Sequence, residues 1–364
     1  MVNGTGQVLA QKTFKSVLAE RKPAIWAEID HYLKHSRDVA KIHLFNERYA
    51  PEEQYHWAVT REYPERQGKY IRPVLLMIMA EALGVPREKA VRTSAAMQVS
   101  EDWILGHDDW QDNSEERRGK PALHRLYPSE IAINAGDTLH AVMWKILRDN
   151  ADLVGHGKTF KLMDEFHAIL MRTCFGQTCE MKWIKEGKSD FTDEDVFFIM
   201  DGKTVYYTIA GPLRLGAILG GATKEQVDSI FHFARPLGLC FQIRDDVLDI
   251  TSDFEGLKKQ FCNDIYEGKK TVMLGHLMRS ANAADTKRLN EIMAKTREQK
   301  SREEVKWVLD KMKEYGSIEY ATKLAEKFAA EARHALDTKL TWVPEGEAKD
   351  DLRLAVDFIL TRTH

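Results

Sequence analysis

The spacing of apolar residues predicts helices along almost the whole chain. Between Val8 and Asp30, apolar positions such as Phe14 and Ile29 recur every three or four residues, as on one face of a helix, with a break expected at Pro23. No segment alternates apolar and polar residues convincingly enough for a strand, and no fixed repeat period is present. The pattern therefore predicts an all-α fold, built as a single large helical bundle.

Turn and cap signals divide this pattern into segments. Residues 62–73 are predicted to form a loop before a strongly apolar helix at 74–83, which stops at Gly84. Pro86 then opens a helix that runs into a cluster of acidic residues. These signals place the acidic cluster at the C-terminal end of a long helix.

Helices are also predicted downstream of this cluster. After a turn at 117–120, one helix begins near Pro128 and another spans about 158–184. Two residue pairs have the spacing of capping boxes at the start of long helices that a proline is expected to bend: Thr192 with Asp195 before Pro212, and Thr223 with Gln226 before Pro236. We interpret residues 1–364 as one domain, with residues 1–10 disordered.

Composition narrows the class of protein. Charged residues make up 30% of the chain but the net charge is only −3, so nothing marks it as a nucleic-acid-binding protein. The four cysteines include no CxxC pair, which favours free thiols and a cytoplasmic protein. The longest apolar run, 74–80, is far shorter than the roughly 20 residues of a transmembrane helix, so no transmembrane segment is expected.

Two acidic clusters share one spacing. The first consists of Asp108, Asp109 and Asp112, and the second of Asp245, Asp246 and Asp249. On a helix, the first and last carboxylates of each cluster stack one turn apart and the second projects beside them. A lone cluster is most simply a solvated helix face, but apolar residues surround the second one, and the repeated spacing favours one shared site.

Buried carboxylates at such a site would repel one another without cations. Mg²⁺ prefers oxygen ligands and usually bridges carboxylates to substrate phosphates, so the clusters point to Mg²⁺, or alternatively Mn²⁺, and to a phosphate-bearing ligand. Basic residues beside turns and helix ends suit that ligand, although each alone is most simply a surface cation. They are Lys69, Arg72, Arg117, Arg118, Lys203, Lys259 and Lys269.

From Gly68 to Thr271 the chain resembles the trans-prenyl diphosphate synthases, the family of farnesyl and geranylgeranyl diphosphate synthases. The motifs stand in the family's order: the first aspartate cluster followed by Arg-Arg-Gly-Lys-Pro at 117–121, Gly136-Asp137, Gly176-Gln177, Lys203-Thr204, Phe241-Gln242 before the second aspartate cluster, and Glu-Gly-Lys-Lys-Thr at 267–271. The resemblance implies the isoprenoid synthase fold with a central active-site cavity, a homodimer, and head-to-tail condensation of isopentenyl diphosphate with an allylic diphosphate.

The resemblance also implies a role for each motif. About three magnesium ions per active site would be held by Asp108, Asp112 and Asp245, with direct or water-mediated support from Asp109, Asp246 and Asp249. The allylic diphosphate would be held by Arg117, Gln177, Lys203 and Lys269, and isopentenyl diphosphate by Lys69, Arg72 and Arg118. The catalytic dipoles facing the allylic cation would be the carbonyl of Lys203, the hydroxyl of Thr204 and the side chain of Gln242. The released diphosphate would take the final proton, so His107 and Cys240 are interpreted as structural.

Three residues depart from the family's pattern near the isopentenyl diphosphate site. Glu101 stands seven residues before Asp108, where the family usually has a His or Gln that touches this substrate. A carboxylate there would repel a diphosphate unless a cation intervenes or the acid is protonated. Tyr70 follows Lys69 where many members carry another basic residue, and Cys262 replaces a frequent glycine. These changes bear on the homoallylic partner more than on the metal chemistry.

The residues just before the first cluster are expected to set product length. Trp103, five residues before Asp108, would block an elongating tail, while Ile104 is not aromatic and Ser100 would leave room at the next turn. By resemblance this favours a short product, geranylgeranyl ahead of farnesyl diphosphate. The alternative is that Trp103 is merely a core residue.

Two other functions stay open. A class I terpene cyclase ionises a similar substrate but usually replaces the second aspartate cluster and lacks an isopentenyl diphosphate site, so Asp249, Arg118 and Lys69 speak against it. A non-catalytic regulatory paralogue of a prenyl synthase tends to lose one aspartate cluster, and both are present here.

Overall fold

Helices dominate the fold, which confirms the all-α prediction. The computed structural model describes residues 12–34, 47–251 and 262–362; the predictions of disorder at 1–10 and of a ligand contact at Lys259 lie outside these residues. In chain order the α-helices are α1 (Phe14–Lys34), α2 (Ala50–Arg66), α3 (Ile71–Ala82), α4 (Arg87–Gln111), α5 (Leu123–Leu126), α6 (Ser129–Asp149), α7 (Ala151–Val154), α8 (His156–Lys185), α9 (Asp193–Met200), α10 (Gly211–Leu219), α11 (Lys224–Ser229), α12 (Phe231–Thr251), α13 (Asn263–Glu267), α14 (Val272–Ser280), α15 (Ala283–Met293), α16 (Arg302–Glu314), α17 (Ser317–Thr338) and α18 (Glu347–Thr361). A π-helix (Asp201–Ala210) joins α9 to α10, and short 3₁₀ turns occupy Glu47–Tyr49 and Arg297–Gln299.

Two helices contain prolines where the sequence predicted a break or a loop. The break predicted at Pro23 is wrong, because α1 continues past it with Pro23 in its interior. The proline removes one backbone hydrogen bond, and the carbonyl of Ala19 that it leaves unpaired lies at an exposed residue where water can reach it. The loop predicted at 62–73 is also too long: α2 passes through Pro64 to Arg66, so only residues 67–70 lie between the two helices.

Both predicted capping boxes are present. The side chains of Thr192 and Thr223 accept hydrogen bonds from the backbone N–H groups of Asp195 and Gln226, and the reciprocal bonds are made as well. Downstream of the first box, the helix widens into the π-helix immediately before Pro212, which has no N–H to donate to the preceding turn. That widened turn carries Lys203 and Thr204.

The centre of the bundle is unusually apolar. In α3, every residue from Val74 to Ala80 has 0% exposure, so this helix is surrounded by protein. It packs against α4, α10 and α18, while α12 packs against α17 and the π-helix. This packing brings the C-terminal ends of α4 and α12, where the two aspartate clusters lie, to one end of the core.

A minimal hairpin follows the first aspartate cluster. Strands β1 (Glu116–Arg117) and β2 (Lys120–Pro121) pair antiparallel, and they form the only sheet in the described part of the chain. They enclose the turn predicted at 117–120. The hairpin directs Arg117 and Arg118 back toward α2 and α4.

The apolar helices are not membrane spans. Among the described residues, none of the helices combines the length and the apolarity needed to cross a bilayer.

Candidate active site

The three aspartates of the first cluster do not point the same way. Asp108 and Asp112 face Lys203 and Lys269, with Nζ–Oδ distances of 3.4 and 3.9 Å. Asp109 is fully buried and does not face these lysines. It accepts a 2.6 Å hydrogen bond from Tyr63 Oη and pairs with the Nε and Nη2 groups of Arg117. Asp109 therefore positions Arg117, and its oxygens already have partners.

Asp108 is surrounded by donors from two other helices. Gln177 Nε2 donates to its Oδ1 at 3.1 Å. Lys203, the second donor beside Asp108, is also paired with Glu180, whose carboxylate lies 2.5 Å from Lys203 Nζ. Burial opposes ionisation of Asp108, but the charges of Lys203, Lys269 and Arg117 outweigh it and hold its pKa below the usual value. Asp108 is therefore an ionised carboxylate in a ring of donors.

The close approach of α8 to the π-helix builds this ring. A Cβ at Gly176 would lie 2.5 Å from the backbone nitrogen of Lys203, so only glycine lets the two helices come so near. The Gly176-Gln177 and Lys203-Thr204 pairs, separate in the sequence, are brought together in this way.

Lys269 links the first cluster to the segment after the second. Its Nζ lies 3.2 Å from Asp264 and 3.0 Å from Glu267, in addition to its contact with Asp112. These carboxylates raise the pKa of Lys269 well above its usual value despite burial. The lysine thus stands as a cation between carboxylates from two ends of the site.

The aspartates of the second cluster also have different hydrogen-bond partners. Thr204 Oγ1 donates to Gln242 Oε1 at 2.7 Å, and Gln242 Nε2 donates to the buried Asp246 at 2.8 Å, so one chain of bonds orients all three residues. Asp249 accepts the backbone N–H of Asp264 at 3.0 Å, next to the start of α13.

Asp245 is the most exposed member of the second cluster, with a half-exposed side chain. Arg362, near the C-terminus, donates to its Oδ1 at 2.7 Å and to the carbonyl of Phe241 at the same distance. The guanidinium carbon lies 3.9 Å from the centre of the Phe241 ring. Arg362 fixes the end of α12 that carries Asp245.

Carboxylates outnumber the cations between the two clusters. Burial, followed by repulsion from Asp108, raises the pKa of Asp112 to about 7, and burial together with Asp249 raises that of Asp264 to about 6. Burial and the neighbouring carboxylates also raise the pKa values of Asp246 and Asp249. Burial and repulsion between neighbouring carboxylates oppose the ionisation of these acids more than the nearby lysines favour it, so the donor set fits added hard cations such as Mg²⁺.

The carboxylates do not form a finished metal cage. Within residues 12–34, 47–251 and 262–362, no three His, Cys, Asp or Glu side chains come close enough together to hold a metal ion by themselves. An oxygen-rich ligand would have to complete the coordination, as phosphates do for Mg²⁺.

A second polar site, which we call the basic pocket, is centred on Glu101, two helical turns before Asp108 on α4. Glu101 stands between two arginines, with Oε2 3.3 Å from Arg72 Nη1 and Oε1 3.5 Å from Arg118 Nη2. Arg118 also donates at 2.8 Å to Asp102, and Arg72 donates to Thr208 at 2.9 Å. The cations that the sequence required beside Glu101 are therefore present.

The basic pocket contains polar atoms with unmet hydrogen-bonding capacity. Buried donors without an acceptor include Tyr70 Oη, Arg72 Nε and Arg118 Nη2, and the neighbouring acceptors Glu101 Oε2 and Asp102 Oδ2 also lack hydrogen-bond partners. Unpaired buried polar atoms are costly, so their concentration here marks a place for a polar ligand.

Backbone strain collects around the same two sites. Within the described residues, the non-glycine residues with positive φ are Gln67, Tyr70, Asn113, Arg118 and Cys262. Each lies beside the basic pocket or an aspartate cluster, and such residues cost about 1–3 kcal/mol each. Cys262 has φ 60°, a conformation that glycine adopts without strain. Lys69 lies in the same loop as Gln67 and Tyr70.

Trp103 points toward α6. Its ring stacks on His140 with the ring centres 4.1 Å apart and the planes 18° apart, and Trp144 Nε1 donates to His140 at 2.8 Å. Ile104 packs against the main core. The room expected at Ser100 is taken, because Tyr207 Oη lies 3.0 Å from its hydroxyl, so that prediction is wrong.

Several residues of these sites had not been identified from sequence. They are Tyr63, Asp102, Glu180, Arg362, His140 and Lys22, and their partners lie on other helices or, for Asp102, on the hairpin turn. Asp102 could have been found from the sequence, because it directly follows the acidic residue Glu101. The others have no such local signal, because each contact joins segments that are distant in the chain.

Comparison with known proteins places this geometry in context. The family model described as polyprenyl synthetase matches residues 53–312. The short chain isoprenyl diphosphate synthase of Methanothermobacter thermautotrophicus is 32% identical over 301 residues, covering 82% of this chain and 87% of the relative. The geranylgeranyl diphosphate synthase of Methanosarcina mazei is 31% identical over 320 residues, covering 86% and 91%. The crystal structure of geranylgeranyl pyrophosphate synthetase from Pyrococcus horikoshii superposes with a TM-score of 0.80 at 28% identity, covering 96% and 98%.

Proposed function

Because the chain belongs to the polyprenyl synthetase family and is therefore a prenyltransferase, we propose that it joins isopentenyl diphosphate head-to-tail to an allylic diphosphate. The reaction is magnesium-dependent and yields a short-chain all-trans prenyl diphosphate, with geranylgeranyl diphosphate as the main product and farnesyl diphosphate as the next candidate. Geranylgeranyl diphosphate is the product named for the Methanosarcina mazei relative.

The observation that carries this proposal is the basic pocket. Glu101 and Asp108 are seven residues apart on one helix, so the pocket and the first aspartate cluster lie about 10 Å apart along its axis. Two neighbouring sites, each suited to a diphosphate, fit a reaction between two diphosphate substrates. A terpene cyclase needs only the aspartate site, because it has no second diphosphate substrate.

In this proposal the aspartate clusters receive the allylic substrate. Asp108, Asp112 and Asp245 would hold the magnesium ions, with Asp246 and Asp249 in support and Asp109 acting through Arg117. The chemistry that magnesium supplies when bound is neutralisation of the diphosphate charge. Lys203, Lys269, Gln177 and Arg117 would bind the same diphosphate and stabilise it as it departs.

The neighbouring dipoles face the allylic carbon. The Thr204 hydroxyl donates a hydrogen bond to Gln242. The lone pairs of the hydroxyl oxygen are therefore free to point at a developing carbocation. Gln242 cannot turn, because Asp246 holds its amide group. His107 Nε2 is 3.1 Å from the carbonyl of Ile133, and burial raises the pKa of Cys240 to about 11, so a structural role suits both residues.

Product length in this proposal is set by the Trp103–His140 stack. An indole held between α4 and α6 forms a rigid wall where a growing chain would extend from Asp108 toward the core. Ile104, one residue nearer to the cluster, adds a smaller apolar surface.

We also place a second copy of the chain on α8. Its side chains Phe160, Met171 and Phe175 share one face and are 64, 60 and 58% exposed, and Phe198 of α9 packs edge-on against Phe175. Such an exposed apolar stripe suits burial in a symmetric homodimer.

The proposal is tested by supplying magnesium and labelled isopentenyl diphosphate with dimethylallyl, geranyl or farnesyl diphosphate in separate reactions, then sizing the products. We expect incorporation of the label, with geranylgeranyl diphosphate as the end product and no incorporation in EDTA. A hydrocarbon formed from the allylic substrate alone would instead establish a cyclase. Product that appears only after a second synthase is added would establish a regulatory paralogue.

A further inference from the structure

Lys22 brings a cation to the basic pocket from a distant part of the chain. It lies on α1, and its Nζ is 5.2 Å from the centre of the Tyr70 ring. The helix α1 packs on α3 and α4. Tyr70 immediately precedes α3, and Glu101 lies on α4. Lys22 is therefore held at the edge of the pocket by the packing of α1, not by sequence proximity.

The surroundings of Lys22 lack a counter-charge. Among the described residues it makes no hydrogen bond and no ion pair, and its ammonium lies over the ring of Tyr70. Burial, followed by repulsion from Arg118, lowers its pKa. Two adjacent cations with no carboxylate shared between them are unfavourable unless an anion joins them.

Tyr70 connects Lys22 to the rest of the pocket. Its ring is 99% buried, its hydroxyl has no hydrogen-bond partner, and its backbone has a φ of 63°. The charges of Asp102, Arg118 and Glu101 all act on this hydroxyl. Tyr70 thus offers a donor beside Arg118 and a ring face to the Lys22 ammonium.

The balance of charges in the basic pocket indicates what Lys22 contributes to binding an anion. Arg72 and Arg118 supply two cations, but the carboxylates of Glu101 and Asp102 pair with them and offset both charges. A diphosphate carries more negative charge than the remainder can balance. The Lys22 ammonium adds a positive charge that neither of these two carboxylates offsets.

We propose that Lys22 binds the diphosphate of isopentenyl diphosphate, together with Arg72, Arg118 and the Tyr70 hydroxyl. This assignment rests on the proposed function for the identity of the substrate. The chemistry that recognises the ligand is an ammonium at the rim of the pocket and buried hydrogen-bond donors below it.

The kinetic test replaces Lys22 with Met, which keeps the length of the side chain and removes its charge. We expect the KM for isopentenyl diphosphate to rise about tenfold, while the KM for the allylic substrate and kcat stay within about twofold. Lys22→Arg should restore most of the affinity. The matched control is Lys15→Met, an exposed lysine on the same helix, which should behave as the parent protein.

A binding test separates this inference from the proposed function. Calorimetric titration of isopentenyl diphosphate in EDTA measures the basic pocket without catalysis, and Lys22→Met should weaken binding about tenfold relative to Lys15→Met. Equal binding by the two variants would overturn the inference even if the enzyme is an active synthase. Weakened binding in a protein that makes no isopentenyl-dependent product would uphold Lys22 as a diphosphate ligand and overturn the proposed reaction instead.

Discussion

The first aspartate cluster and Glu101 of the basic pocket both lie at the C-terminal part of α4, but the electrostatics of their surroundings are opposite. Around Asp108 and Asp112, carboxylates outnumber Lys203 and Lys269, so the site lacks positive charge until cations arrive. Around Arg72 and Arg118, the acids Glu101 and Asp102 match the two arginines, and Lys22 adds a further cation, so this site can accept an anion without metal. The same ligand group, a diphosphate, can therefore be bound through metal in one site and directly in the other.

Acidic residues have different roles at the two sites. Asp112 has few cations near it, and burial and its neighbours raise its pKa to about 7. Glu101 is held between two guanidinium groups, where it keeps both arginines in place. The first acid is suited to exchanging a proton for a metal ion, while the second organises the cations around a direct anion site.

The largest effect is expected from removing the charge of Asp108. Asp108→Asn should lower kcat/KM by about a thousandfold, because the proposed metal ligand and the partner of Lys203 and Gln177 are lost together. Binding of isopentenyl diphosphate in EDTA should not change. A parallel loss of that binding would mean that the two sites are not separable.

The pH dependence of stability should also distinguish the two sites. The folded-state pKa of Asp112, about 7, lies above its ordinary value of 3.8, so the folded metal-free protein binds more protons than the unfolded chain between these values. The free energy of unfolding should therefore fall as pH rises from about 4 to 7. Asp112→Asn should remove about 2 kcal/mol of that fall, as measured by urea unfolding in EDTA at several pH values.

Magnesium should reverse this trend, because it binds the deprotonated carboxylate. Denaturation at pH 8 should thus require more urea with magnesium than with EDTA. A metal-free protein whose stability rises steadily from pH 4 to 7, with no difference between Asp112→Asn and the parent, would contradict the charge imbalance described for this site.

A smaller effect is expected from Glu101→Gln in the basic pocket. Loss of this carboxylate removes repulsion of the diphosphate, so the KM for isopentenyl diphosphate should fall about fivefold. The KM for the allylic substrate is the internal control and should not move. A higher KM for isopentenyl diphosphate would mean that holding Arg72 and Arg118 apart outweighs the repulsion.

The smallest effect on rate is expected from a residue of neither site. Trp103→Ala should lengthen the product, because it removes the ring that stacks on His140, while kcat/KM stays within about threefold. Chromatographic sizing of the prenyl chain measures this, with Trp103→Phe as the control that keeps an aromatic wall. An unchanged product distribution would place the floor of the cavity elsewhere.

The helices and the order of the motifs could be predicted from the sequence because both are local properties. A helix such as α3 is apolar without interruption from Pro73 to Ala80, and the capping boxes at Thr192 and Thr223 depend on residues three apart. The prolines misled because their effect depends on context: Pro23 and Pro64 lie inside helices whose packing outweighs one lost hydrogen bond.

The orientation of individual side chains could not be predicted in the same way. Asp109 looks like its neighbours in the sequence, but Tyr63 and Arg117 turn it into a buried positioning residue. Arg362 reaches Asp245 across more than a hundred residues, and Lys22 reaches Tyr70 through the packing of α1. Spacing along the chain carries no information about such contacts, since tertiary packing alone creates them.

The central claim is that one diphosphate site needs metal and the other does not. Calorimetry with isopentenyl diphosphate and with an unreactive thiolo analogue of geranyl diphosphate, each in EDTA and then in magnesium, tests it directly. We predict that isopentenyl diphosphate binds in EDTA and weakens with added salt, whereas magnesium strengthens binding of the geranyl analogue at least a hundredfold. If both ligands require magnesium, or if neither does, the account of two opposite sites is wrong.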